Sequence, residues 1–361
     1  MRILIGGDVV PTEGSRALFE AGDAAALFGK TMDLAKRADR VIVNLECALT
    51  DSEIPLRKIG PNLKGAPACA KTLKAFGVTD AALANNHMFD YGVKGLRDTM
   101  AALDAVGIRY TGIGENDTAS RKPLFLDDGK TKIGILNVCE HEYSYALPDR
   151  IGANPYDPYL TMQDIREAKK QADYVIVLYH GGKEQCRYPS PRLYRACHEM
   201  VRCGADVVLT QHSHCIGCCE QFEGGHILHG QGNFCFCGHS QLEGWNEGLL
   251  VELDTAGGLK IAFHPFRNGE TCVELSEGAE REEILDGFRK RSEELQNGKW
   301  LDGWRTFCEA KREPYTKVLR NLREMDENER ALQKFAHYLD CEAHRDVWLE
   351  LFPTWNRANE K

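Results

Sequence analysis

Carboxylate, carboxamide and imidazole side chains recur in this chain where runs of β-branched and other apolar residues end. Asp8 follows RILIGG, Glu46 follows VIVNL, and Asn85, Asn86 and His87 follow DAALA. His180 follows YVIVLY, and His212 and His214 follow DVVLTQ. Together these are ligands for a hard-to-borderline divalent metal. Taken singly, each has a plainer reading: a strand-final aspartate forms a turn, Asn-Asn-His caps a helix, and a lone histidine is hydrogen-bonded. Their recurrence at successive strand ends favours a shared metal site, because open α/β sheets bind ligands beyond the carboxyl ends of their strands. In an extended segment His212 and His214 would share one face.

The elements that must position these groups are legible from periodicity. Strands are predicted over 2–8, 40–46, 80–87, 132–138, 173–180 and 206–212, separated by helical patterns such as 93–107 and 190–204 that end at glycines. Alternation of this kind predicts βαβ units and a largely buried sheet in an α/β fold. Later strands carry a Gly257-Gly258 hairpin. After about residue 275 the chain turns charged and helical in period. The predicted division is therefore a catalytic-type domain over 1–272 and a helical C-terminal extension over 273–361.

The motifs GGD (6–8), NLE (44–46), ANNHMFDYG (84–92), HGGKE (180–184), GADVVLTQHSH (204–214) and GQGNF (230–234) occur in order. In this the chain resembles the CapA-type proteins of bacterial capsule and poly-γ-glutamate synthesis, a branch of the calcineurin-like metallophosphoesterase fold. The resemblance implies a four-layer α/β/β/α sandwich. It implies that Asp8, Glu46 and His214 hold one metal and that Glu46, Asn86, His180 and His212 hold a second, with Glu46 bridging. His87 would be the general acid. One or two ions of manganese, iron or zinc would clamp attacking and leaving oxygens without a protein nucleophile. The chain departs from standard phosphoesterases at Val10, where they carry a histidine, and at Glu46, where the bridging residue is an aspartate. Gly181 and Ser213 also replace common residues of the branch.

Further candidates surround this set. Glu184 fits the branch pattern H-x-G-x-E and is expected to orient an imidazole or to be a surface charge. Asp90 either fixes His87 or caps the following helix. Asn233 is expected near the site by analogy, and His141 and Glu142 end another strand. Arg57, Lys58 and Lys64 read as a solvated loop, with presentation of positive charge to an anionic substrate as the alternative.

A formal net charge of −9 argues against nucleic acid as partner. The apolar start is too short for a signal-peptide core and no run is long enough to span a membrane, which predicts a cytoplasmic protein. The 14 cysteines then read as free thiols. Cys215, Cys218, Cys235 and Cys237 approach a zinc pattern, but C-x-C in an apparent strand and the unmatched Cys219 favour packing. Cys47 and Cys186 are likewise expected to be buried. The function expected is a metal-dependent, phosphoesterase-like hydrolase linked to capsule or poly-γ-glutamate metabolism, acting on an anionic small molecule or polymer. The alternatives are metal-independent acid–base cleavage of a peptide or γ-glutamyl amide, and a non-catalytic accessory of capsule synthesis.

Overall fold

Two sheets packed face to face, with helices on both outer faces, make up the body of the computed structural model, which describes residues 1–238, 240–321 and 329–353. Parallel strands Arg2–Val9, Arg40–Leu45, Asp80–Ala82 and Arg109–Thr111 form one half of the larger sheet. Its other half is the antiparallel series Glu247–Asp254, Lys260–Asn268 and Val273–Leu275. Asn233–Cys235 also pairs with the first strand. In the smaller sheet the parallel core is Lys132–Cys139, Tyr174–His180, Val207–Gln211 and Gly225–Gln231. Antiparallel edges Leu124–Asp127 and Ile216–Phe222 flank it.

Side-chain alternation along the strands sorts the core into layers. Ile3, Ile5 and Ile42 face Ile135, Ile176, Leu178 and Leu209 across the gap between sheets. Leu4, Val41 and Val43 point the other way, onto Phe19, Phe28, Leu73 and Phe76 of helices on the outer face. On the far side Val175, Val177 and Val208 meet Met162, Ile165, Leu193 and Met200 of helices Leu160–Lys169 and Pro191–Arg202. The result is the expected α/β/β/α sandwich.

The expected strand over 80–87 is shorter than predicted and stops at Ala82. The Ala84 N–H is taken by the Asn137 side chain at 2.6 Å, so the ladder ends and Asn85–His87 lie in a turn. The hairpin at Gly257 and Gly258 is present, with both residues at positive φ. Over its described residues, the segment from Val273 onward is that edge strand followed by helices between Gly278 and Leu351. The first of them, Gly278–Gln296, inserts Ile284, Leu285 and Phe288 into the inter-sheet core. The later ones build their own cluster around Trp304, Tyr315, Val347 and Leu351. They are tied to the body by Asp346, which accepts from Arg192 Nε at 3.0 Å and from Ser190 Oγ at 2.5 Å.

Gly7 fixes how the first strand delivers Asp8. A Cβ there would fall 2.0 Å from the carbonyl oxygen of Gly232, and that close approach sets Asp8 opposite Asn233 in register. Gly7→Ala is therefore expected to cost about 1–3 kcal/mol through forced separation of the strands. The shift of the urea unfolding midpoint measures it, and an unchanged midpoint would show that the strands have room to part.

Candidate metal centre

The carboxyl ends of strands from both sheets meet at one edge of the sandwich. Asp8, Glu46, Asn85, Asn86, His87, His180, His212 and His214 are all buried there. The site is assembled by carboxamides. Asn44 Nδ2 donates to Asp8 Oδ1 at 2.7 Å and stands 3.2 Å from His180 Nδ1. Asn85 donates to Asn44 Oδ1 at 3.1 Å and to the Leu45 carbonyl at 2.8 Å, and accepts from the His87 backbone N–H at 3.1 Å. Asn233 Oδ1 lies 2.8 Å from His214 Nδ1.

At the centre, His180 Nε2 stands 2.9 Å from Asn86 Oδ1, 3.1 Å from His212 Nδ1 and 3.2 Å from Glu46 Oε1. Neither Glu46 oxygen has a hydrogen-bond partner among the described residues, although both are buried. An unpaired buried carboxylate is costly unless a cation or metal compensates it. His214 Nδ1 is 3.4 Å from Asp8 Oδ2 and 4.0 Å from Glu46 Oε2. Ligand atoms of Asp8, Glu46 and His214 lie within 4.8 Å of one another, as do those of Glu46, His180 and His212. The donor set of carboxylate oxygens, carboxamide oxygen and imidazoles fits a divalent metal. The Glu46 oxygens, buried without a hydrogen-bond partner among the described residues, are compatible with a cation there.

His212 and His214 are not in an extended segment, contrary to the sequence expectation. The strand ends at Gln211, and His212 and His214 adopt φ of +88° and +56°. Left-handed conformations cost non-glycine residues roughly 1–3 kcal/mol each and persist where surrounding structure holds them. Here the His212 N–H reaches Asp8 Oδ2 at 3.3 Å, so the turn aims both rings inward.

Burial and charge set the protonation of the cluster. Burial pushes Asp8 up, but the His214 hydrogen bond and the neighbouring histidines outweigh it and bring its pKa to about 2. Burial and Asp8 together raise Glu46. Burial lowers His180 to about 4 and also lowers His212, leaving both imidazoles neutral and able to donate lone pairs. Burial opposes a charged His214, yet Glu46 and Asp8 raise it to about 10.

His87 sits beside this cluster with its Nδ1 2.6 Å from Asp90 Oδ2 and 3.3 Å from Lys58 Nζ. Asp90 thus fixes His87, and the next helix takes no side-chain cap from it. Lys58 is not in a solvated loop. Its side chain is 2% exposed and its ammonium is 2.5 Å from Asp90 Oδ1, so this expectation is corrected, because the buried Asp90 draws the cation in. Arg57 is exposed and pairs with Glu329, while Lys64 binds the Ser52 carbonyl and Glu53. Glu184 shares a group of potential ligands with His212 and His214. His141 turns away, its Nδ1 lying 2.7 Å from Glu342 Oε1.

Several neighbours had little or no signal. Asn44 reads as a strand residue. Glu142 shows in the sequence only as a strand-end residue, yet its Oε2 stands 3.6 Å from His212 Nε2, and burial and then Glu184 raise it to about 7. Trp245 packs on His214 with ring centroids 4.5 Å apart. Val10 is an apolar core residue at 2% exposure, so that position offers no ligand. All 14 cysteines are free. Cys235 and Cys237 do share a side, with sulfurs 4.0 Å apart, and Cys47, Cys186, Cys215 and Cys218 are buried.

The site and fold together define an α/β/β/α protein with a buried carboxylate–imidazole cluster at its strand ends, compatible with a metal. The model of the bacterial capsule synthesis protein PGA_cap matches residues 2–237, and the chain belongs to that family. It is 26% identical to the capsule biosynthesis protein CapA of Bacillus anthracis over 74% of this chain and 65% of that one. It is 27% identical to the PGA biosynthesis protein CapA of Bacillus subtilis (strain 168), over 75% of this chain and 69% of that one. The chain thus spans about two thirds of the length of these relatives. A hypothetical protein of known structure from Thermus thermophilus is similar at 17% identity and a TM-score of 0.47, over 74% of this chain and 100% of its own. Among the described residues no helix is long and apolar enough to cross a membrane.

Glu46→Gln separates metal binding from folding. In chelator the variant is expected to melt at or above the wild-type temperature, because it removes an unpaired buried charge. With manganese at a hundredfold over its dissociation constant, the wild type should gain about 2.7 kcal/mol. The variant should gain much less. Equal shifts in differential scanning fluorimetry would place the ion elsewhere.

Proposed function

We propose that this chain is a metal-dependent hydrolase of anionic esters, phosphoesterase-like in chemistry, serving capsule or poly-γ-glutamate metabolism as its relatives' names suggest. The observation that carries the reading is Glu46, buried between three histidines and Asp8 with both oxygens unpartnered. Asp8, Glu46, Asn86, His180, His212 and His214 are proposed as the metal ligands, for manganese, iron or zinc. Bound there, divalent ions supply Lewis-acid polarisation and a nucleophile active at neutral pH.

The protein's own groups do the rest. His87 is proposed as general acid. Its Nδ1 side is occupied by Asp90 and Lys58, which leaves Nε2 to give a proton to the leaving group. Burial and then Lys58 lower its pKa, against the opposing pull of Asp90, which makes the protonated ring a stronger acid. Glu184 is proposed to steady the His212 and His214 side, since it neighbours both. We further propose that residues 1–272 carry this chemistry and that the segment after them is an extension, its first strand Val273–Leu275 and first helix Gly278–Gln296 built into the body and its later described helices lying outside the inter-sheet core.

The test is a parallel assay on 4-nitrophenyl phosphate and γ-glutamyl 4-nitroanilide, with manganese and with chelator. Expected is manganese-dependent release from the phosphate ester that chelator abolishes. His87→Ala should lower kcat about 10²–10⁴-fold. Anilide cleavage that survives chelation but not His87→Ala would replace this reading with metal-independent acid–base chemistry. Inertness toward both substrates would leave a binding role in polymer synthesis.

A further inference from the structure

A cleft of about 410 Å³ opens between residues 56–59, residues 143–150 and the helix Glu329–Asp340. The helix lies beyond the family match, which ends at residue 237. Two of its lining residues touch groups beside the candidate metal centre. Lys58 lines it and touches His87. His337 lines it too, stacks on Tyr143 with ring centroids 4.8 Å apart, and holds its Nε2 3.4 Å from Glu142 Oε1. The other Glu142 oxygen faces His212.

Among the described residues, two charges lining this cleft have no ion pair, Asp340 and Arg150. Lys58 is neutralised by Asp90, and Arg57 by Glu329 at 2.9 Å. Asp340 accepts from Tyr145 Oη at 3.0 Å. Arg150 makes no ion pair with a described residue. Its Nε is buried without a hydrogen-bond partner, and its Nη2 donates to the Tyr145 carbonyl. The guanidinium carbon lies 5.3 Å from the Phe89 ring centroid and 5.4 Å from that of Tyr145. With Nε buried and one Nη2 hydrogen on the Tyr145 carbonyl, Nη1 and the second Nη2 hydrogen are left for an end-on, two-point hydrogen bond with an oxyanion.

We propose that this cleft is a binding subsite for an oxyanion, carboxylate or phosphate, which the substrate carries beyond the bond that is cut. Arg150 is its principal ligand and the helix Glu329–Asp340 its outer wall. Assigning the anion to the substrate rests on the hydrolytic reading above; binding of the anion in the cleft does not. The C-terminal helices then set specificity, admitting substrates with a second anionic group and narrowing the approach to His87.

The test is isothermal titration of the full chain in chelator with glutarate and, separately, with inorganic phosphate. At least one anion is expected to bind, and the one that binds names the source of the oxyanion. Arg150→Gln should weaken it about tenfold to a hundredfold, the range for losing a hydrogen bond to a charged group. Ala336→Tyr, on the helix surface lining the cleft, should weaken it by filling the space without touching Arg150. His212→Ala should leave it unchanged. Absence of binding at millimolar anion, equal binding by both cleft variants and wild type, or loss in His212→Ala would overturn the proposal. Cleft binding without any hydrolysis would sink only the hydrolytic reading, and hydrolysis without cleft binding only this one.

Discussion

The site is organised around a buried carboxylate that the described residues leave without a hydrogen-bond partner. Glu46 sits at the end of a central strand, fully buried, with neutral imidazoles on one side and the Asp8–His214 pair on the other. A cavity-lining amide or hydroxyl could have satisfied it, as Asn44 satisfies Asp8, but none among the described residues does. Burying a charge in this way is strongly unfavourable, and a cation recovers the cost in the same low-dielectric setting. That single deficit explains why three histidines and an asparagine oxygen face the same point.

Holding such a cluster together requires everything around it to be rigid, and the structure supplies rigidity in layers. Asn44, Asn85, Asn137 and Asn233 each bridge elements that are distant in sequence, tying strand ends of both sheets into one frame. The Gly7 approach to Gly232 sets the register of that frame. The left-handed backbone of His212 and His214 is its most strained part, and it is held by the Asp8 contact. Strain here and satisfied amides behind it describe a preorganised set of ligands.

Much of this was legible in the sequence. Hydrophobic period placed nearly every parallel strand, and strand ends then located the polar cluster, because a fixed topology brings those ends together. What stayed hidden depends on contacts that no periodicity encodes. Asn44 sits mid-motif in a strand whose burial pattern would suit a valine, and only the neighbouring Asp8 reveals its use. Lys58 belongs to a loop that composition marks as solvated, yet a buried Asp90 on another segment pulls it in. The turn at His212 was missed because alternation of H-x-H looks the same in a strand and in a left-handed bend. His337 carries no local signal at all, since its partners Glu142 and Tyr143 lie far back in the chain.

The C-terminal helices show how a fold of this kind can acquire selectivity without altering its chemistry. Helix Gly278–Gln296 is part of the core, since its apolar face fills the open end between the two sheets. The helices after it lie outside that core; they cluster with one another, and Trp300 packs on Cys218 and Tyr194 of the body. Their attachment also has a polar part. Asp346 meets Arg192, which also binds Glu140, and the Glu140 backbone N–H donates to the His180 carbonyl at 3.0 Å. Glu342 receives both the backbone and the ring of His141. The ion pairs in this docking fix orientation more than they add stability, because desolvation offsets most of the Coulomb gain. Orientation is what a wall beside the site needs. It keeps His337 against Tyr143 and Glu142, and so keeps the approach to His87 and His212 in one shape.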